Sequence, residues 1–266
     1  MPYTPTAEIV ADAVAAGRGV VAFDVIGLEH AEAVVSGAEW ADRPVLLQIS
    51  QNAVAFRGRR LRPLAAACRE LAAAAKVRVG LHLDHVEDEE LTRQAADAGF
   101  GSLMVDASRA PYAENVARTR ALVDWAHEHG LWVEAELGGT DGPAHVAGAR
   151  TDPAAAAEFV AATGIDGLAV AVGTARLDID LVAALHEAAP VPLVLHGSSG
   201  VTDDELRRAL GAGIVKVNVG TALDIACTAA VRELLLDACV VDPRRYLAPA
   251  MVDMAAEVER YLAVIS

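Results

Sequence analysis

The chain is poor in the residues that would assign it to several common classes. Three cysteines in 266 residues, Cys68, Cys227 and Cys239, are too few and of odd number for a disulfide framework, so they read as free thiols in a reducing, cytoplasmic setting. Positive charge is scarce: 22 Lys and Arg face 37 Asp and Glu, a net of −15, which argues against nucleic acid as a partner. A small phosphorylated ligand is still compatible, because a few backbone N–H groups can hold it. No apolar run reaches membrane-spanning length, and "MPYTPTAEIV" lacks the basic, then apolar, pattern of a secretory leader. Aromatics make up only 4% of the chain, and no Gly-x-Gly-x-x-Gly follows the first strand, against a dinucleotide fold.

What is present is a regular alternation. Short β-branched runs begin near residues 20, 44, 79, 102, 132, 167, 192 and 216, and Ala-, Glu- and Arg-rich helical stretches separate them. Predicted helices include 7–16 capped by Thr6, 57–76 as one long helix, 202–213 opened by a Thr202/Glu205 capping box, and 222–238. Eight strand–helix units without a linker predict a single (β/α)8 TIM-barrel domain over residues 1–266, with extra N- and C-terminal helices. The stripe Met251, Met254, Val258, Tyr261 and Leu262 in the last helix is expected to pack on the barrel.

In a barrel, chemistry sits at the carboxyl ends of the strands. The polar residues there are Asp24, Ser50, Asp84, His85, Asp106, Glu134, Glu136, His196, Asn218 and Thr221. Histidines and carboxylates converging from strands three, five and seven suggest a metal site with an open position. His82, alternating with Leu81 and Leu83, reads as a hydrogen-bonded interior residue. His127 and His129 read as helix-end residues, His30 and His186 as solvated ones, and His145 as a loop residue. The loop around Gly197, Ser198 and Ser199 can form an anion nest.

The segments "LHLDHVED", "SLMVDAS", "VEAELGG", "GLAVAVGT", "PLVLHGSSGV" and "KVNVGTAL", in this order, resemble the class II ketose-bisphosphate aldolases over nearly the whole chain. The resemblance implies zinc-dependent cleavage of a ketose phosphate to dihydroxyacetone phosphate and an aldehyde, and an assembly of two or four copies. It implies that Asp84 is a proton-transferring residue, that His85 and His196 are zinc ligands, and that Glu136 approaches the metal. It also implies that Gly197, Ser198, Ser199, Asn218, Val219, Gly220 and Thr221 hold the donor half; Ser50, at the end of strand two, and Arg176 are further candidates for binding substrate.

Three departures stand out. The family's third zinc histidine is absent from "AVGTARLDID", where Arg176 stands; the loop after "ELG" offers only Asp141 in place of a glutamate base; and an asparagine expected on strand one is Asp24. Two readings stay open. In one, His85, His196 and Glu136 form a two-histidine, one-carboxylate zinc site. In the other, zinc is lost and Arg176 supplies the positive charge, giving a metal-free lyase or a sugar-phosphate-binding barrel.

Overall fold

The structure is a computed structural model describing residues 3–138, 150–174 and 176–265. Eight strands, β1 (Val20–Asp24), β2 (Val45–Ser50), β3 (Val79–Val86), β4 (Ser102–Val105), β5 (Trp132–Glu136), β6 (Gly167–Val170), β7 (Leu193–Leu195) and β8 (Ile214–Val219), pair in chain order, all parallel, and β1 closes on β8. This is the expected (β/α)8 barrel.

Among the described residues the helices are α1 (Thr6–Ala15), α2 (Leu28–Ala41), α3 (Gln51–Phe56), α4 (Leu61–Ala74), α5 (Glu89–Ala98), α6 (Tyr112–Glu128), α7 (Pro153–Thr163), α8 (Ile179–Ala188), α9 (Asp203–Ala212), α10 (Thr221–Leu234) and α11 (Pro243–Val264). None is long and apolar enough to cross a membrane. The core lies between the barrel's outer surface and the helix ring, where residues such as Leu47, Leu81, Leu103 and Phe159 are fully buried. Burial at about 25 cal/mol per Å² makes this shell the main source of stability.

Several local expectations are corrected. The helix expected over 57–76 is two, α3 and α4, because Gly58 and Arg59 both take left-handed backbone (φ 68° and 61°) that no helix can contain. Thr6 is the first residue of α1 rather than its cap, and its hydroxyl is spent on Ser102 Oγ at 2.7 Å. Thr202 does cap α9 by accepting the Glu205 N–H, but Glu205 turns away and accepts the Leu177 N–H instead. Helix α10 stops at Leu234, leaving Cys239 exposed beyond it. His30 is largely covered, with Nε2 3.6 Å from Asp224. On α11, Met254, Val258, Tyr261 and Leu262 are buried and Met251 packs against the same core, as the stripe predicts.

Candidate active site

Residues spaced by two on a strand share a face. Glu134 and Glu136 on β5, and Lys216 and Asn218 on β8, are therefore pairs on one face, and all four are buried. Consecutive residues should point to opposite faces, yet both Asp84 and His85 reach the mouth. The β3–β4 register shifts between Leu83 and Val86, and His85 adopts φ 47°, so a bulge turns the second side chain inward as well. A non-glycine residue in that backbone region costs about 1 kcal/mol or more, a cost that concentrates at functional sites.

His85 and His196 meet edge to face, with His85 Nε2 3.1 Å from His196 Nδ1. The outer nitrogen of each ring is tied to a carboxylate: His85 Nδ1 to Asp106 Oδ2 at 2.9 Å, and His196 Nε2 to Glu134 Oε1 at 2.6 Å. With carboxylates behind both rings, the inner nitrogens, His85 Nε2 and His196 Nδ1, face each other across the mouth and share a hydrogen bond, while the Asn218 amide lies 3.2 Å from His196 Nε2. A metal cation can take the place of the proton held in that contact, since both inner nitrogens point at the same spot. An Asp84 carboxylate oxygen completes a set of donors lying within 4.8 Å of one another. Nitrogen and carboxylate donors at this spacing fit zinc, and the outer carboxylates are the usual supports of metal-bound histidine. A second set, His85, Asp106 and Glu136, shares His85. The structure thus groups Asp84, rather than the expected Glu136, with both histidines.

The titrations reflect a surplus of negative charge. Burial alone would lower the His85 pKa, but Asp84, the bond to Asp106 and Glu136 push it up to about 10. Burial opposes ionisation of Glu134, yet Lys216, the His196 bond and His82 bring it down to about 2. Asp106, despite burial, is also held at about 2 by His85 and Ser108. Asp24 and Asp84 share the amide of Gln48, whose Nε2 donates to Asp24 Oδ1 at 2.7 Å and to Asp84 Oδ2 at 3.1 Å. The two carboxylates part company: burial and the Asp84 charge raise Asp24 to about 6. Asp84, although buried, stays below the ordinary range beside His85, His82 and His196.

A cavity of about 160 Å³ opens beside the histidines, lined by Asp24, Gln48, Asp84, His85, His196, Gly197, Ser199, Asn218, Val219, Gly220 and Thr221. Gly220 is forced by contact: a Cβ there would lie 2.2 Å from Asp24 Oδ2. The Ser198 hydroxyl is committed to Asn218 O (2.7 Å), and Ser199 Oγ accepts the Ala222 N–H. Ser50 caps α3 by accepting the Ala53 N–H, and it sits outside the cavity lining. His82, as expected, is interior and bonded to Ser102 Oγ at 2.8 Å.

Arg176 does not enter this cavity. The Asp178 N–H closes the loop on Val172 O at 2.8 Å, Leu177 is buried, and Arg176 lies exposed in a separate cavity with Arg150 and Arg208. Its charge therefore does not occupy the metal position. Asp141 and His145 lie outside the described residues.

Lys216 and Gln48 are functional neighbours that strand-end inspection missed. Each is a polar residue inside an apolar strand, "IVKVNV" and "VLLQIS", which is the signal that could have found them.

The fructose-bisphosphate aldolase class-II family model matches residues 4–266. A fructose-bisphosphate aldolase of Staphylococcus aureus (strain Mu50) is 35% identical over 266 residues, covering 94% of this chain and 92% of that protein. The crystal structure of the YdjI aldolase from Escherichia coli K12 superposes with a TM-score of 0.88 at 31% identity, covering 99% of this chain and 97% of its own. A putative fructose-1,6-bisphosphate aldolase from Coccidioides immitis gives 0.84 at 32%, covering 98% and 96%.

Proposed function

The chain belongs to the class II fructose-bisphosphate aldolase family and is an aldehyde-lyase, and we propose the following roles for its residues in aldol cleavage. His85 through Nε2 and His196 through Nδ1 hold zinc, the metal typical of the family. Bound there, zinc supplies Lewis-acid polarisation of the ketose carbonyl and offsets the negative charge left on the donor half. The observation that carries this reading is the pair of facing imidazole nitrogens, each ring tied behind by a carboxylate. Arg176, turned outward, gives the metal-free alternative no support.

The substrate is a phosphorylated ketose. Its donor half, which leaves as dihydroxyacetone phosphate, is received by Gly197, Ser199 and Asn218 through Thr221, where α10 begins at Gly220, which has no capping side chain, and Ser199 accepts the Ala222 N–H. Ser198 shapes this turn from behind. Asp84, kept ionised by the surrounding histidines, accepts the hydroxyl proton from the carbon that becomes the aldehyde as the carbon–carbon bond breaks. A proton then returns to the donor carbon, and Asp141 is the proposed source. Glu136 and Asp106, flanking His85, offer the metal a second position.

We also infer a homo-oligomer of one-domain subunits, supported by Ile225, Leu236 and Val241, which are 63%, 86% and 82% exposed. Three unpaired cysteines suit a cytoplasmic setting.

The test is proton–deuterium exchange at the reactive carbon of dihydroxyacetone phosphate, followed by NMR with chelator and with added zinc. Exchange lost on chelation and restored by zinc is expected. Exchange indifferent to the chelator, or absent from zinc-loaded protein that still binds the ligand, refutes the assignment.

A further inference from the structure

Lys216 is a fully buried cation in the middle of β8, between Val215 and Val217. Its Nζ donates to Glu134 Oε2 at 2.8 Å and to Asn218 Oδ1 at 2.6 Å. Glu134 lies on β5, three strands away round the barrel, so the pair is a charged strut across the interior. A buried ion pair is a poor way to gain stability, since apolar residues of similar volume usually serve as well or better. Its retention calls for another role, and the geometry supplies one. With Oε2 fixed by Lys216, Oε1 is presented to His196 Nε2 at 2.6 Å, beside the Asn218 amide at 3.2 Å, and Nδ1 is turned toward His85 Nε2.

We propose that Glu134 and Lys216 are a positioning pair that fixes the tautomer and ring orientation of His196, so that Nδ1 meets the metal. Neither residue touches the reacting atoms; both act through His196, and Lys216 also holds Asn218. The inference rests on the zinc site proposed above and extends it to two residues that are not ligands.

Zinc affinity of chelator-stripped protein, measured by competition with a chromophoric chelator, tests it directly. The variants are Glu134→Leu, Lys216→Met and the double substitution, each checked for folding by circular dichroism. Either single change strands a buried charge or dipole, so the double variant, in which the interior is neutral, is decisive. It is expected to fold, to bind zinc 10- to 100-fold more weakly than wild type, and to show an altered visible spectrum when loaded with cobalt. A folded double variant with wild-type zinc affinity and cobalt spectrum overturns the positioning role alone. A double variant that cannot fold assigns the strut to barrel stability and also overturns it. Wild-type protein that binds no zinc overturns the metal reading and this inference with it.

Discussion

Replacing Asp24 with asparagine should stabilise the protein, and only on the alkaline side. In the folded chain this carboxyl titrates at about 6, where the ordinary aspartate value is 3.8. A carboxyl with a raised folded pKa binds its proton more tightly in the native state. At pH below about 3.8 it is neutral in both states and costs nothing. Between about 3.8 and 6 the unfolded chain ionises first, and stability falls; above about 6 the full penalty is present. At 1.36 kcal/mol per pH unit the penalty is about 3 kcal/mol. Asparagine keeps the shape of aspartate, still accepts the Gln48 amide and leaves the close approach to Gly220 unchanged. For a chain of this size, about 3 kcal/mol corresponds to a rise in Tm of roughly 5–6 °C. Calorimetry of wild type and Asp24→Asn in the presence of chelator, at pH 4 and pH 8, reads the difference. A gain of several degrees at pH 8 that shrinks toward zero at pH 4 is expected. An equal gain at both values, or none at pH 8, refutes the account of Asp24 as a buried, like-charge-opposed carboxylate.

Other changes separate the site from its surroundings. Arg176→Ala should leave zinc affinity and donor-half exchange within about twofold of wild type, because the side chain lies in a different cavity; a tenfold loss in a zinc titration would contradict that placement. Gly220→Ala should greatly weaken binding of dihydroxyacetone phosphate in a calorimetric titration, since its Cβ meets Asp24 Oδ2. Pairing it with Asp24→Ala should recover folding stability by more than 1 kcal/mol over additivity in a double-mutant cycle. Ser198→Ala leaves the buried Asn218 carbonyl without its donor and should cost about 1–3 kcal/mol by urea denaturation, with the midpoint unmoved if the bond is unimportant.

The barrel was legible because each buried parallel strand is a short β-branched run and each helix between them is punctuated, as at Gly99 and Gly130. The one long helix that proved to be two failed at Arg59, a residue whose identity carries no warning of left-handed backbone. In the site, Asp84, His85, His196 and the donor-half loops were all visible as polar residues at strand ends. The grouping of Asp84 with both histidines was not, since it depends on a bulge in β3 that no local propensity specifies. Glu134 was visible as a residue but not in its function, because its partner Lys216 lies 82 positions away and meets it only when the barrel closes. Arg176 misled for a related reason: position in sequence suggested a place in the site, while the Asp178–Val172 hydrogen bond decides that it faces out.

The left-handed turn at His85 bears on protein engineering. Copying Asp84, His85 and His196 onto another eight-stranded scaffold would transplant the letters without the grammar. On an unbulged strand, alternation would send the histidine into the helix layer, where it would disrupt packing and bind nothing. The portable unit is the irregular stretch from Leu83 to Val86 together with its β4 neighbour, and a graft that carries this backbone can afford to vary the side chains around it.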